Sequence, residues 1–305
     1  MSLRLTILGT SSALPTSDRY PTAHVLNVHE RLFLIDCGEG TQMQMRRYHI
    51  RFGKINNIFI SHLHGDHFFG LYPLLSSYNL MGRKTPLNIY APDPFRELLS
   101  RHLSDFDIDL AYEVIVHPLS GRSLKPVMSD KQVEVFSFPL KHRVKTYGFL
   151  FREKEADRNI IKEKITELGL TIAEIGQLKK GKDIVRDDGE VILCDEVTKK
   201  PPVPGSYAFC SDTGYFPKLS SYVSGVQLLY HEATFGNEHD ALARQTGHST
   251  ARHAAMVARD AGASRLILGH FSARYKSPEV LEAEAREVFP ATEAAHEGIS
   301  YDIGM

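Results

Sequence analysis

Four short apolar runs in this chain each end at a histidine or an aspartate. "NIFIS" runs into His62, "VEVFSFPLK" into His142, "SYAFCS" into Asp212 and "RLILG" into His270. Runs of this length, rich in β-branched and aromatic residues, read as strands. In α/β folds the loops beyond the C-terminal ends of strands are where ligands bind. A fold for this chain must therefore carry several strands whose ends present metal-binding or acid–base side chains. Taken singly, each such residue is more often a cap or a solvated side chain. Together they form a less accidental set.

The remaining pattern supports this frame. "LRLTILG" and "RLFLIDCG" read as strands ending in glycine turns, "GTQMQMRRY" and "GLYPLLSSYNLMG" as helices, and "LNIYAP" then "FRELLSRHL" as strand and helix. From Ala111 to Phe151 strands dominate ("YEVIVHPL", "QVEVFSFPL", "TYGFLF"). "VQLLYHEATF" and "SRLILGH" are strands flanking a helix in "STARHAAMVARDAG", and a last helix begins at Pro278. Strands interleaved with helices at both ends predict an α/β layered fold with helices outside. At 305 residues the chain is long enough to bury a sizeable core.

The strand ending at His62 opens the densest part of the chain, "HLHGDH", with His62, His64, Asp66 and His67 in six positions. Imidazole nitrogen and carboxylate oxygen suit zinc or manganese. Gly65 is expected to let the backbone turn tightly, so that His62 and His64 face one point and Asp66 and His67 another. With His142, Asp212 and His270 the set reaches seven, enough for two ions, Asp212 bridging them through its two oxygens. Two such ions lower the pKa of a shared water and clamp a phosphodiester.

Composition narrows the partners. The 36 basic and 37 acidic residues nearly cancel, which argues against coating nucleic acid through an overall field but not against a local basic patch. No stretch approaches the roughly 20 apolar residues of a membrane span. Cys37, Cys194 and Cys210 show no paired spacing, so no disulfide framework is expected. A soluble, cytoplasmic protein with no membrane partner follows as the expectation.

HxHxDH followed by isolated His, Asp and His at strand ends resembles the metallo-β-lactamase superfamily. More narrowly, "LGTSSALPT", "FISHLHGDHFFGL", "LKHRVKTYGF", "CSDTG", "HEATF", "TGHSTARHAA" and "LGHFSARY" resemble the short form of ribonuclease Z, the tRNA 3′-processing endonuclease, over nearly the whole chain. The resemblance implies an αββα sandwich in a single domain spanning 1–305, with a protruding tRNA-binding arm inserted at 152–200. It implies two zinc ions per subunit, with manganese also suited. His62, His64 and His142 would bind one ion, Asp66, His67 and His270 the other, with Asp212 between them. Asp66 would also accept a proton, and His248 of "TGHST" would donate one to the leaving 3′ oxygen. Locally, His248 reads equally well as a helix-start residue beside the capping candidates Ser249 and Thr250. Glu232 of "HEATF" is a candidate for orienting His248, and Arg274 of "FSARY" for pairing with a substrate phosphate.

The implied reaction is hydrolysis of precursor tRNA just 3′ of the discriminator nucleotide, leaving a 3′-hydroxyl on the tRNA and a 5′-phosphate on the trailer, by a homodimer. The apolar "LYPLLSSYNLMG" is a candidate for the dimer interface. From composition alone, 152–200 reads first as a solvated or partly disordered insertion, with eleven basic and twelve acidic residues and the Pro-rich hinge "TKKPPVPG". The resemblance makes it the arm, with Lys179, Lys180 and Lys182 placed for phosphate contacts. The family's arms often carry a Gly-Pro-containing turn before the basic stretch, and "LGLTIAEIGQLKKG" has none. The competing reading is another phosphodiesterase of the same fold acting on a small substrate, for which the charged insertion has no evident use.

Overall fold

The computed structural model describes residues 3–304 and gathers the apolar runs into two seven-stranded sheets. The first sheet is built by β1 (Leu3–Gly9), β2 (Ala23–Val28), β3 (Arg31–Ile35), β4 (Ile55–Phe59), β5 (Leu87–Pro92) and β6 (Val114–Leu119). Helices α1 (Thr41–Arg47), α2 (Gly65–Phe68), α3 (Leu71–Leu80) and α4 (Phe95–Asp105) lie on its connections. β1, β2 and β3 pair antiparallel, while β3 to β6 are parallel and need these crossovers. The second sheet starts with the antiparallel strands β7 (Lys125–Ser129), β8 (Val133–Pro139) and β9 (Tyr147–Glu153).

The chain then enters the inserted segment: β10 (Asn159–Ile160), α5 (Lys162–Glu167), α6 (Ile172–Lys179), β11 (Ile184–Val185), β12 (Val191–Ile192), α7 (Cys194–Val197) and β13 (Thr198–Lys199). It returns to the second sheet as β14 (Ser206–Cys210), followed by α8 (Leu219–Tyr222), β15 (Leu228–Glu232), α9 (Asp240–Thr246), α10 (Ala251–Ala261), β16 (Arg265–Gly269), α11 (Glu279–Arg286) and β17 (Thr292–Ala294). Last, β18 (Ser300–Ile303) crosses back to pair with β1.

Side chains alternate between the two faces of a strand, so strands covered on both faces are apolar on both. In β3, Phe33 and Ile35 enter the core between the sheets, and Leu32 and Leu34 face the helices of the first layer. In β14, Tyr207 and Phe209 face the other sheet, while Ala208 and Cys210 face α8 and α10. Alanines of α10 (Ala251, Ala254, Ala255, Ala258) are fully buried on that layer. The layers are therefore helix, sheet, sheet, helix. One face of "LYPLLSSYNLMG" is spent inside its own subunit: Leu71, Leu74, Leu75 and Tyr78 are buried in the first layer.

The direction of the strands brings the catalytic candidates together. β8 and β14 are both antiparallel to β9, so they run the same way, and β14, β15 and β16 are parallel. The residues that follow β8, β14 and β16 thus emerge at one edge. β3 and β4 end at the facing edge of the first sheet, joined there by a hydrogen bond from the Tyr147 amide to the Ser61 carbonyl, 3.0 Å.

The inserted segment corrects the composition-based expectation of a solvated loop. Leu170, Leu178, Ile184, Ile192, Cys194 and Val197 form a small core of their own. Thr171 caps α6 in a reciprocal pair with Glu174, whose carboxylate also accepts from Arg186 at 2.8 Å. Six apolar residues spread through a charged sequence give little local periodicity, yet suffice when folded on one another. At the root, the Glu153 amide donates to the Gly205 carbonyl and the Gly205 amide to the Glu153 carboxylate, which closes the entry and exit strands.

Candidate dinuclear metal site

Asp212 sits at the centre of the converging ends. One of its oxygens lies 3.0 Å from His67 Nε2 and 3.1 Å from His270 Nε2. The other lies 3.6 Å from His62 Nε2 and 3.8 Å from His142 Nε2. His64 Nδ1 meets His62 Nε2 at 3.0 Å, and Asp66 lies 3.3 Å from His67 and 3.6 Å from His270. The donors thus divide into His62, His64, His142 with Asp212, and Asp66, His67 with His270. All seven residues singled out in the sequence converge here.

The outer nitrogens fix which ring atoms face inward. His67 Nδ1 donates to Asp36 at 2.7 Å, and His62 Nδ1 to Ser61 Oγ at 3.0 Å. Ser61 Oγ donates in turn to Asp36 at 2.8 Å. His142 Nδ1 donates to the Gly247 carbonyl at 2.9 Å, and His270 Nδ1 to Thr234 Oγ1 at 3.0 Å. This leaves Nε2 of His67, His142 and His270 buried, inward-facing and without a hydrogen-bond partner. Imidazole nitrogens converging on carboxylates are the donor set a divalent cation takes, and fixing the far nitrogen is the usual outer support. The residues fit two ions.

The local electrostatics keep three imidazoles neutral and call for positive charge where the carboxylates meet. Burial holds His62, His64 and His142 below their ordinary value, keeping them neutral. Burial also opposes the charge on His67, but Asp212, Asp66 and Asp36 outweigh it and raise His67 well above its ordinary value. Burial opposes ionisation of Asp212 too; His270, His67 and His62 overcome it and hold the carboxyl well below its usual range.

Three residues that place this chemistry pay for it in backbone strain: Asp36 and His270, directly after their strands, and Asp212, one residue further on, adopt positive φ of 55°, 58° and 52°. Gly65 does not act as expected. It opens α2, outside the left-handed region, and a Cβ there would come within 2.5 Å of the Phe69 ring. Its role is room for that ring, and the pair His62–His64 is separated from Asp66–His67 by the start of a helical turn.

His248 stands beside the cluster, its ring 5.0 Å from that of His142 and 5.5 Å from that of His270. Its Nδ1 donates to Glu232 at 2.8 Å. Burial works against the charged form of His248, but Glu232 prevails and raises its pKa to about 9. Glu232 is fully buried and also accepts from Thr213 N, Thr234 N and Thr234 Oγ1. Thr250 caps α10, accepting from the His253 amide, while Ser249 donates to the Thr213 carbonyl. His248 thus projects from a loop fixed on both sides. Asp36, Ser61, Thr234 and Gly247 were not singled out in the sequence. Asp36 carried the same signal as the others, an aspartate ending the apolar run "LFLID".

Arg274 is exposed, its guanidinium 5.1 Å over the Phe235 ring, which contacts the His248 ring. A cavity of about 660 Å³ opens beside His248, lined by Lys141, Arg143, Tyr215 and Arg244. Another of about 710 Å³ lies across the His142 loop, lined by Arg122, Arg143 and Lys145. Lys179 and Lys180 line neither. They join Arg158 and Lys200 around a cavity at the root of the inserted segment, with Lys182 just beyond in the sequence.

Among known proteins, a family model described as anti-Pycsar protein Apyc1 matches residues 3–152. Ribonuclease Z of Bacteroides fragilis is 44% identical over 295 residues, covering 97% of each chain. Ribonuclease Z of Bacteroides thetaiotaomicron is 42% identical over 299 residues, covering 98% of this chain and 95% of the relative. Among solved structures, human tRNase Z, short form, superposes with a TM-score of 0.73 at 26% identity, over 99% of this chain and 100% of its own. The metallo-β-lactamase-fold protein YhfI from Bacillus subtilis superposes with a TM-score of 0.71 at 17% identity, over 99% of both chains.

Proposed function

The chain belongs to the ribonuclease Z family, a tRNA 3′-processing endoribonuclease of the metallo-β-lactamase fold, and we propose that the Asp212 cluster cuts precursor tRNA immediately 3′ of the discriminator nucleotide. The observation that carries this reading is Asp212 between two groups of imidazoles, with the Glu232–His248 pair at their side. His62, His64, His142, Asp66, His67, His270 and Asp212 would hold two divalent ions, which would supply Lewis acidity toward water and the phosphoryl oxygens. Zinc is the expected ion, and manganese suits the same donors.

The protein's own groups handle the protons. The Asp66 carboxylate, held ionised by His67 and His270 against its burial, accepts the proton of the attacking water. His248, charged at neutral pH, donates one to the departing 3′ oxygen. That oxygen belongs to the discriminator nucleotide, so the tRNA end lies on the His248 side, in the cavity with Lys141, Arg143 and Arg244. The trailer then leaves on the other side of His142, past Arg122 and Lys145. Local basic groups of this kind reconcile RNA binding with a near-neutral chain. Arg274 is placed for a backbone phosphate, and the inserted segment, with Lys179, Lys180 and Lys182, for the body of the tRNA.

The working unit is read as a homodimer. Met43, Phe69, Leu80 and Met81 are exposed on and around the first three helices, a support for association. With precursor tRNA as substrate the protein acts in the cytoplasm. No helix among the described residues is long and apolar enough to cross a membrane.

A second reading is hydrolysis of a small phosphodiester by the same donors; the anti-Pycsar family match covers only residues 3–152. That match ends where the inserted segment begins and omits Asp212, His248 and His270. Precursor tRNA and bis-p-nitrophenyl phosphate separate the two. Replacing 156–202 by a short linker, which leaves the Glu153–Gly205 closure in place, should raise KM for precursor tRNA about ten-fold or more and spare the small ester. Equal loss on both substrates would refute the role of the segment. Full activity of Asp66→Ala would refute the site.

A further inference from the structure

Glu297, near the C-terminus, touches none of the metal-binding candidates, yet it holds both ends of a loop that touches one. Its Oε1 accepts from the Tyr20 amide at 2.6 Å, the Thr10 amide at 3.3 Å and Thr10 Oγ1 at 3.4 Å. Its Oε2 accepts from Gln44 Nε2 at 2.8 Å, and the same Gln44 amide donates to the Leu8 carbonyl at 2.9 Å. The carboxylate is in turn fixed by its own segment, since the Gly298 amide donates to the Ile7 carbonyl and the Ile7 amide to the Ile299 carbonyl. Residues at opposite ends of the chain are thus clamped at one point.

Between Thr10 and Tyr20 the chain forms a loop with an exposed tip, Ala13 to Pro15. Its neck closes on itself, with the Thr10 and Ser11 amides both donating to the Tyr20 carbonyl. At its tip the Ala13 amide donates to Asp66 Oδ2 at 2.9 Å, the oxygen that also faces His67 and His270. Ala13 holds a positive φ of 53° to do so, a conformation that a non-glycine residue keeps only when its surroundings impose it. The loop also reaches the segment after His270, through the Ser12 amide to the Phe271 carbonyl and Arg19 to the Tyr275 carbonyl. It therefore spans two of the strand ends that supply the site.

We propose that Glu297 is a positioning residue: by clamping Thr10 and Tyr20 it holds Ala13 in the strained conformation that orients Asp66 for proton transfer. The inference rests on the proposed role of Asp66. A one-ångström displacement of a reacting group costs up to about a hundred-fold in rate, and Glu297 acts only through orientation. Its loss should therefore lower kcat and leave KM unchanged.

Glu297→Ala and the milder Glu297→Gln, which keeps one acceptor for Tyr20 and Thr10, test this on bis-p-nitrophenyl phosphate and on precursor tRNA. Amide hydrogen exchange on the metal-free protein gives the independent readout. We expect faster exchange confined to residues 10–20, retained metal content, and kcat lowered about ten- to a hundred-fold in the alanine variant, with partial recovery in the glutamine variant. Unchanged exchange at 10–20, faster exchange spread over both sheets, loss of metal, or loosening without a fall in kcat would each overturn the proposal. An active Asp66→Ala enzyme would instead remove the reading beneath it, so the two failures are distinguishable.

Discussion

Glu232→Gln tests the acid side of the mechanism with a magnitude the structure supplies. The substitution keeps the shape of a fully buried side chain and removes the charge that faces His248 Nδ1 at 2.8 Å. With Glu232 ionised, His248 stands at about 9 against an ordinary 6.5, a difference corresponding to about 3 kcal/mol in favour of the imidazolium. A raised pKa keeps the proton on the ring below pH 9 and loses it as pH rises through that value, so the wild type should hold its acid form across neutrality. In the variant burial acts without the countering carboxylate, so the ring falls to about 6.5 or below. At about pH 8 its protonated fraction then falls roughly 30-fold or more, and at about pH 6 by a much smaller factor. Single-turnover cleavage of precursor tRNA over this pH range reads both limbs. The expected result is a defect that grows with pH, the descending limb of log k moving down by about 2.5 pH units or more. A defect equal at both pH values would refute the reasoning, as would normal rates throughout. Thermal unfolding run alongside should show a loss of about 1–3 kcal/mol from the disturbed hydrogen bonds to Thr213 and Thr234.

Two further expectations concern the supports of the site and the inserted segment. Asp36→Ala removes the common acceptor of His67 Nδ1 and Ser61 Oγ, and metal titration should show affinity lowered about 10- to 100-fold with both sheets intact; unchanged affinity would deny Asp36 that role. Leu178→Ala opens a cavity in the small core of the inserted segment, where Leu178 is fully buried, costing about 2–5 kcal/mol; hydrogen exchange should rise in 152–200 alone, and a spread into the sheets would show that this core is not separate.

The sequence by itself picked out the residues that come together. A single His or Asp at the end of an apolar strand is more often a cap, but His62, His142, Asp212 and His270 share that setting, and the fold makes them converge. The same setting in "LFLID" would have found Asp36, which instead read as a turn residue ahead of the Gly38 turn. What the sequence left open is everything that depends on direction and distance. Only the antiparallel placement of β9 between β8 and β14 brings His142 to the same edge as Asp212, although 70 positions separate them. Only the tertiary structure puts Glu297 on the loop that meets Asp66, because a hydrogen bond spanning 287 residues leaves no periodicity to read. The inserted segment shows the same limit: its charge suggested a solvated loop, while six scattered apolar residues gained enough from mutual burial to fold. Local patterns record what a residue is suited to do, and the packing of distant segments decides what it does it to.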